Sequence, residues 1–189
     1  MMVLVACEFS GVVREAFARR GHDAWSCDLL DTEIPGKHIQ GDVLKVLGEG
    51  WDLMIAHPPC THLAACGARW FYRKKDLQED ALKFVKQLMD APILRICVEN
   101  PVSIISTRIR RPDQIIQPYW FGESISKKTC LWLKNLPILT PTKIVDKGEF
   151  ITFSSGRRMS KWCAETWGKG HERSRTFVGI AEAMAEQWG

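Results

Sequence analysis

Cys60 follows two prolines at the end of a short apolar run, in Asp52-Leu-Met-Ile-Ala-His-Pro-Pro-Cys60, and a later apolar run ends in Glu99-Asn100-Pro101. A thiol becomes a strong nucleophile once it loses its proton, and a carboxyl beside it can give or take one. Proline has a fixed φ and no backbone N–H, so Pro58-Pro59 ends a strand sharply and leaves the next residue little freedom. A rigid mount fixes the attack angle in advance. Taken alone, the first stretch reads better as a proline-ended core strand followed by a buried cysteine. Glu99-Asn100 alone reads as a strand-end turn with solvated side chains. The elements around them change both readings.

Met2 to Cys7 is a continuous apolar run and reads as a buried parallel strand. Glu8-Phe-Ser-Gly11 is the turn after it. Val12 to Arg20 has helical spacing through Val13, Ala16, Phe17 and Arg20, with Gly21 as a natural C-cap. Asp23 to Cys27 reads as a second strand with Asp28 at its tip. A β-α-β unit with an acid at that tip is the layout of a nucleotide-binding half, although G-x-G-x-x-G is absent. A generic unit with Asp28 as a cap or surface acid fits equally well.

Thr32 to Gln40 reads as a loop, and Gly41-Asp42-Val43-Leu44 as a third short strand or a turn. Trp51 to Ala56 is the strand before the thiol, and His62 to Trp70 is irregular. Asp76 to Asp90 reads as an amphipathic helix with Leu77, Ala81, Phe84, Val85, Leu88 and Met89 on one face. Leu94 to Val98 is a further strand, stopped by Pro101. Asp28, Cys60 and Glu99 therefore fall at successive strand ends, which share one edge of a parallel sheet. Ser106 to Arg111 is arginine-rich and includes Arg108. Lys127 to Leu133 reads as a strand with a basic start, and Pro137 to Lys147 as a proline-broken loop. Phe150 to Lys161 is basic through Arg157, Arg158 and Lys161. Thr176 to Trp188 reads as a closing helix with Phe177, Ile180, Ala181, Met184 and Trp188 in register.

A length of 189 residues suits one domain with a real core. Hydrophobic content of 46% and charged content of 25% are ordinary for a soluble globular chain. The net charge of +4 permits a nucleic-acid partner without demanding one. Seven cysteines without C-x-x-C pairs, and no charged-then-apolar leader, lead us to expect free thiols in a reducing cytoplasm. No apolar run approaches the ~18 residues of a membrane span. His57, Cys60, His62 and Cys66 lie close in sequence, but they form no closed zinc pattern. A zinc deaminase would need H-x-E and P-C-x-x-C, and Leu63 stands three past Cys60. No metal is expected.

A thiol, a carboxyl and an amide on one sheet edge suit nucleophilic catalysis on a ring that must be protonated. Cytosine fits. Its C5 becomes nucleophilic only when a thiolate adds across C6, and an acid donating to N3 assists that addition. Cys60 would be the thiolate and Glu99 the acid, with Asn100 orienting Glu99 or bracing the proline loop. Glu99 would need a raised pKa from burial, and Cys60 a lowered one from Lys127 or Arg108.

At these residues the chain resembles the DNA cytosine-5 methyltransferase family, in a short phage- or prophage-like form. Phe9-Ser10-Gly11 is similar to the F-x-G cofactor loop. Asp28 is similar to the ribose-binding acid, and Asp42 to the acid near the adenine amino group. Pro58-Pro59-Cys60 is similar to the Pro-Pro-Cys nucleophile loop, and Glu99-Asn100 to the Glu-Asn pair on the target base. Ser126 to Leu133 stands where the basic strand Q-x-R-x-R is found, and the helix after Ser174-Arg175-Thr176 resembles the last motif, which returns to the cofactor. The resemblance implies a Rossmann-like α/β methyltransferase fold, a mostly parallel sheet with helices on both faces, in a single catalytic domain over residues 1–189. It implies S-adenosylmethionine as methyl donor, held by Phe9, Ser10, Gly11, Asp28, Asp42, Pro58 and Thr176. It implies DNA as partner, with the target cytosine flipped out of the stack.

The chain departs from that pattern in four places. Val13 stands where a second glycine is frequent. His57 and Thr61 flank the nucleophile where Gly and Gln are common. Lys127-Lys128-Thr129 replaces paired arginines, and lysine is a point charge rather than a fork. Residues 135–175 form a short basic and aromatic insertion in place of a full target-recognition domain. Arg157, Arg158, Lys161, Trp162 and Trp167 would form a minimal DNA-reading patch, with Lys127, Lys128 and Arg108 as further contacts. A solvated loop with packed tryptophans fits that insertion nearly as well. Two other functions remain open on the sequence: a methyltransferase for single-stranded DNA or a free cytosine nucleotide, and a DNA-binding relic without turnover.

Overall fold

Both faces of the central sheet are covered, which is why its strands read as unbroken apolar runs. The strands are β1 (Met2–Ala6), β2 (Asp23–Asp28), β3 (His38–Gln40), β4 (Leu53–Ala56), β5 (Arg95–Pro101), β6 (Gln114–Ile116) and β7 (Thr129–Lys134). Their order is β3-β2-β1-β4-β5-β7-β6. The first five pair in parallel, and β7 runs antiparallel to both β5 and β6. These coordinates come from a computed structural model, which describes residues 1–67, 73 and 75–189.

Alternation along each strand sorts the side chains. Val3, Val5, Leu53, Ile55, Cys97 and Leu131 face one core, whereas Leu4, Ala6, Met54, Ala56, Val98 and Trp132 face the other. The first core is closed by α1 (Val12–Ala18) and α6 (Val178–Trp188), the second by α2 (Lys75–Met89) and α3 (Ile105–Arg108). Trp188, fully buried, still satisfies its indole N–H on the Pro137 carbonyl at 3.0 Å. Burying a large apolar side chain contributes roughly 1.5–3 kcal/mol.

The sheet order reverses between β1 and β4. Open α/β sheets bind ligands at such a point, outside the strands' C-terminal ends. Cys60 and Glu99 belong to the two strands on one side of it, and the Phe9–Gly11 turn and Asp28 to the two on the other.

Several expectations need correction. Thr32 to Gln40 is not all loop, since its last three residues form β3, and Gly41-Asp42-Val43-Leu44 takes the turn alternative, with Asp42 capping a single 3-10 turn by accepting the Leu44 N–H at 3.0 Å. Leu77 is exposed, and Gln78, Leu82, Val85 and Leu88 form the buried stripe of α2. Of the stretch expected to be irregular, residues 68–70 lie outside the described residues. β5 does not stop at Val98 but includes Glu99, Asn100 and Pro101, which pair with Leu131, Cys130 and Thr129. Beyond Val98 the strand has β7 on one side only, because β4 ends at Ala56. A proline is tolerated there, since an edge position asks less of its missing N–H. The insertion folds into a hairpin, β8 (Phe150–Thr152) with β9 (Arg158–Ser160), followed by α4 (Lys161–Glu165) and α5 (Gly170–Ser174). Neither the hairpin nor β6 is visible in the hydrophobic pattern.

Candidate active site

The end of β4 leaves a gap beside the longer β5, and the proline turn fills it. The Asn100 side-chain amide donates to the Pro58 carbonyl at 2.8 Å. The Cys60 carbonyl accepts the N–H groups of Leu63 and Ala64 at 3.0 and 2.9 Å, closing one turn. That turn is tied in its own right to the chain after β5: Ala65 N–H donates to Val102 and Ile104 N–H donates to the Leu63 carbonyl. The turn carrying Cys60 is thus braced from two sides.

A cavity of about 200 Å³ opens at this point, lined by His57, Pro58, Cys60, Glu99, Lys127 and Thr176 among others. It unites the expected thiol, acid and bracing amide with Lys127 and Thr176. His57 Nδ1 lies 3.2 Å from Glu99 Oε2, with both side chains largely buried.

The electrostatics run opposite to the sequence expectation. Burial raises the Glu99 carboxyl, but the His57 hydrogen bond and charge, with the Lys127 charge, more than offset it and hold the group below its ordinary value. Glu99 therefore rests ionised rather than protonated. Burial pushes the Cys60 thiol up, the Glu99 carboxylate adds to the rise, and Lys127 opposes it. A second correction concerns Arg108, which does not line the cavity and instead pairs with Glu79 at the surface. Lys127 acts on both Cys60 and Glu99. Its ammonium donates to the Arg173 carbonyl at 3.0 Å and lies 5.4 Å from the ring centres of Trp162 and Phe177.

The expected cofactor residues divide. Pro58 and Thr176 line the cavity, whereas Phe9, Ser10, Gly11, Asp28 and Asp42 do not. Gly11 needs to be glycine: its φ is +75°, and a Cβ would meet the Arg14 guanidinium at 2.8 Å. Asp28 and Asp42 both act on Cys7 at the tip of β1, so two carboxylates gather near adjacent strand ends. Each has one oxygen holding its own turn, on the N–H of Leu30 and of Leu44. Phe9 is covered by His171, ring centres 4.3 Å apart. Glu33 binds His171 at 3.0 Å and Arg175 at 2.6 Å, which clamps the α5 segment beside the Phe9 turn.

Of the expected DNA contacts, Arg157, Arg158 and Lys161 sit on or beside the hairpin. Arg158 stacks on Phe150 at 4.4 Å, Arg157 is exposed in the turn, and Lys161 pairs with Glu149 at 2.7 Å. Phe150, Ile151 and Phe153 are also exposed there. Lys128, directly before β7, is exposed and acts on Cys130. Among the described residues no group of three or more His, Cys, Asp or Glu side chains could hold a metal ion.

Sequence reasoning overlooked two charged groups. Glu8 was read only as part of a turn. It is buried and accepts the N–H groups of Val13 and Arg14 at 2.6 and 3.2 Å, capping α1. Arg14, also buried, donates to Ser26, Thr32 and Ile34 and so fixes the loop after β2. Its place on the apolar side of α1 between Val13 and Ala16 was the available signal.

No protein-family profile matches the sequence, and no curated protein does. Among solved structures, the chain is similar to a protein encoded within an E. coli prophage and provisionally described as a DNA modification methyltransferase. The TM-score is 0.50 at 16% identity, over 77% of this chain and 52% of the other. The chain thus spans about half the length of that structure. At this identity the likeness is one of fold: a mixed α/β, mostly parallel seven-stranded sheet similar to that of a methyltransferase. No helix among the described residues is long and apolar enough to cross a membrane.

Proposed function

We propose that the chain transfers a methyl group from S-adenosylmethionine to C5 of cytosine in DNA through a covalent bond between Cys60 and C6. The observation that carries this reading is the convergence of Cys60 and Glu99 on one cavity. The Rossmann-like arrangement, with the strand order reversing beside that cavity, supports it.

The residues fit the donor. Asp28 and Asp42 offer fixed acceptors for ribose hydroxyls and an exocyclic amine, beside the Phe9–Gly11 turn. Pro58 and Thr176 would meet the donor's reactive end. When bound, S-adenosylmethionine supplies an activated methyl group. Cys60, once its thiol proton has passed to solvent water, adds its electron pair to C6, while Glu99 places a proton on N3, so that C5 becomes electron-rich. Once C5 is methylated, it gives its proton to a water molecule acting as base, the C5–H pair forms the C5–C6 double bond, and the sulfur–C6 bond breaks. Cys60 keeps the pair, and the N3 proton returns to Glu99. The base must be flipped, because C5 and C6 are closed to a thiol inside the stack. Arg157, Arg158 and Lys161 would meet phosphates, and the exposed Phe150 and Phe153 offer faces for stacking.

The deciding experiment uses DNA carrying 5-fluorocytosine. Fluorine cannot leave C5 as a proton does, so the adduct persists and appears as a covalent band on a denaturing gel. An adduct that requires Cys60 supports the reading. DNA retained without an adduct points instead to a binding relic. The recognition region amounts to one hairpin and two short helices, which favours a second reading, a single-stranded or free cytosine nucleotide as substrate. Methyl incorporation into duplex, single strand and dCMP separates these.

A further inference from the structure

His57 occupies the residue before the proline turn, and its backbone N–H donates to the Ala6 carbonyl at 2.9 Å. Its ring is largely buried against the Glu99 carboxyl. Nδ1 meets Glu99 of β5 at 3.2 Å, and Glu8 of the β1–α1 turn also feels the imidazole charge. Nε2 is buried and finds no hydrogen-bond partner among the described residues. Glu8 is committed to the Val13 and Arg14 N–H groups and to Ser10, so it stays in place. The other charged group acting on Glu99 is Lys127, and the groups acting on Cys60 are Glu99, Lys127 and Cys66. A buried imidazole on a buried carboxylate is stable as a pair when one proton is shared, since two charges of opposite sign are then desolvated together.

The proposed chemistry asks Glu99 to give a proton, yet at rest the group is ionised. The proton must come from somewhere within the site. We propose that His57 and Glu99 hold one proton between them, and that His57 is the positioning residue that passes it to Glu99 when a pyrimidine enters. This inference rests on the methyl-transfer reading of the cavity. One proton passes from His57 Nδ1 to the Glu99 carboxylate and from that carboxyl to N3, while the Cys60 sulfur, its own proton already given to solvent water, supplies the electron pair to C6. When the sulfur leaves, the proton returns by the same path.

The test compares the wild type with His57→Asn. The amide keeps a donor near the Nδ1 position but carries neither charge nor a transferable proton. Glu99 is followed by 13C NMR of its carboxyl carbon, and adduct formation on 5-fluorocytosine DNA is timed from pH 6 to 8. Glu99 titrates at higher pH in His57→Asn than in the wild type. The ratio of wild-type to variant adduct rates grows with pH and reaches about tenfold or more at pH 8. An unchanged Glu99 titration overturns the shared proton. A rate ratio that is the same at every pH overturns the proton-passing role and leaves His57 a packing residue. His57→Gln gives the same readouts should the asparagine variant not fold. If the wild type traps no adduct at any pH while the Glu99 titration still rises in the variant, the methyl-transfer reading fails and the shared proton stands.

Discussion

Asn100 and Pro58 are joined by a single 2.8 Å hydrogen bond that crosses from the overhanging end of β5 to the turn carrying Cys60. Asn100→Ala leaves the Pro58 carbonyl without this donor in a buried setting. The expected cost is about 1–3 kcal/mol, read from denaturant unfolding. Adduct formation should fall by roughly 10²-fold, because a nucleophile displaced by a fraction of its reach loses its attack geometry. An Asn100→Ala enzyme with wild-type rates would mean that the brace does not position the sulfur.

Substitutions at the two sides of the sheet's reversal should separate chemistry from cofactor affinity. Cys60→Ser abolishes the adduct and leaves S-adenosylmethionine affinity near normal in calorimetry. Asp28→Ala does the reverse, weakening the donor by roughly tenfold or more, in line with the ~1.5–3 kcal/mol of one hydrogen bond to a charged group. Equal losses of affinity in both variants would place the donor elsewhere.

The hairpin predicts a salt signature. Replacing Arg157 or Arg158 by alanine should weaken duplex binding across sequences and lower the slope of log affinity against log salt by about 1 each. Fluorescence anisotropy in rising NaCl gives both quantities. Slopes unchanged in both variants would remove the hairpin from the DNA path.

Arg175, before burial and His171, sets the behaviour of Glu33, holding its carboxyl down to about 2 from an ordinary 4.5. A carboxyl lowered by folding stabilises the folded state fully above its unfolded value, and loses that contribution as pH falls through the folded one. The clamp is therefore intact above about pH 4.5 and released between there and about pH 2. Across that window the wild type should lose more in Tm than Arg175→Ala does. Parallel Tm curves for the two chains would show that the clamp adds no stability.

Much of the sheet was legible because its strands are buried on both faces and announce themselves as apolar runs, from Val3 to Ala6 and from Leu53 to Ala56. The thiol and acid were legible because prolines mark the strand ends that carry them. What escaped depends on pairing across the chain. β5 runs past Val98 only because β7 lies beside it, and no local pattern reports a partner thirty residues away. The hairpin escaped because its strands are short and mostly exposed, with no alternation of burial to read. The electrostatic expectations failed for a similar reason. His57 looked like a departure at the edge of a motif, and only the fold brings its ring against Glu99.

Lys127 carries a consequence for timing. Its ammonium is gripped by the backbone of Arg173 and by the rings of Trp162 and Phe177, all from the segment that follows the hairpin, yet its field reaches both Cys60 and Glu99. If the proposed polynucleotide displaces that segment on docking, the charge beside Cys60 would shift with it. Under the proposed chemistry, the seating of the substrate and the reactivity of the sulfur would then be tied through one charge.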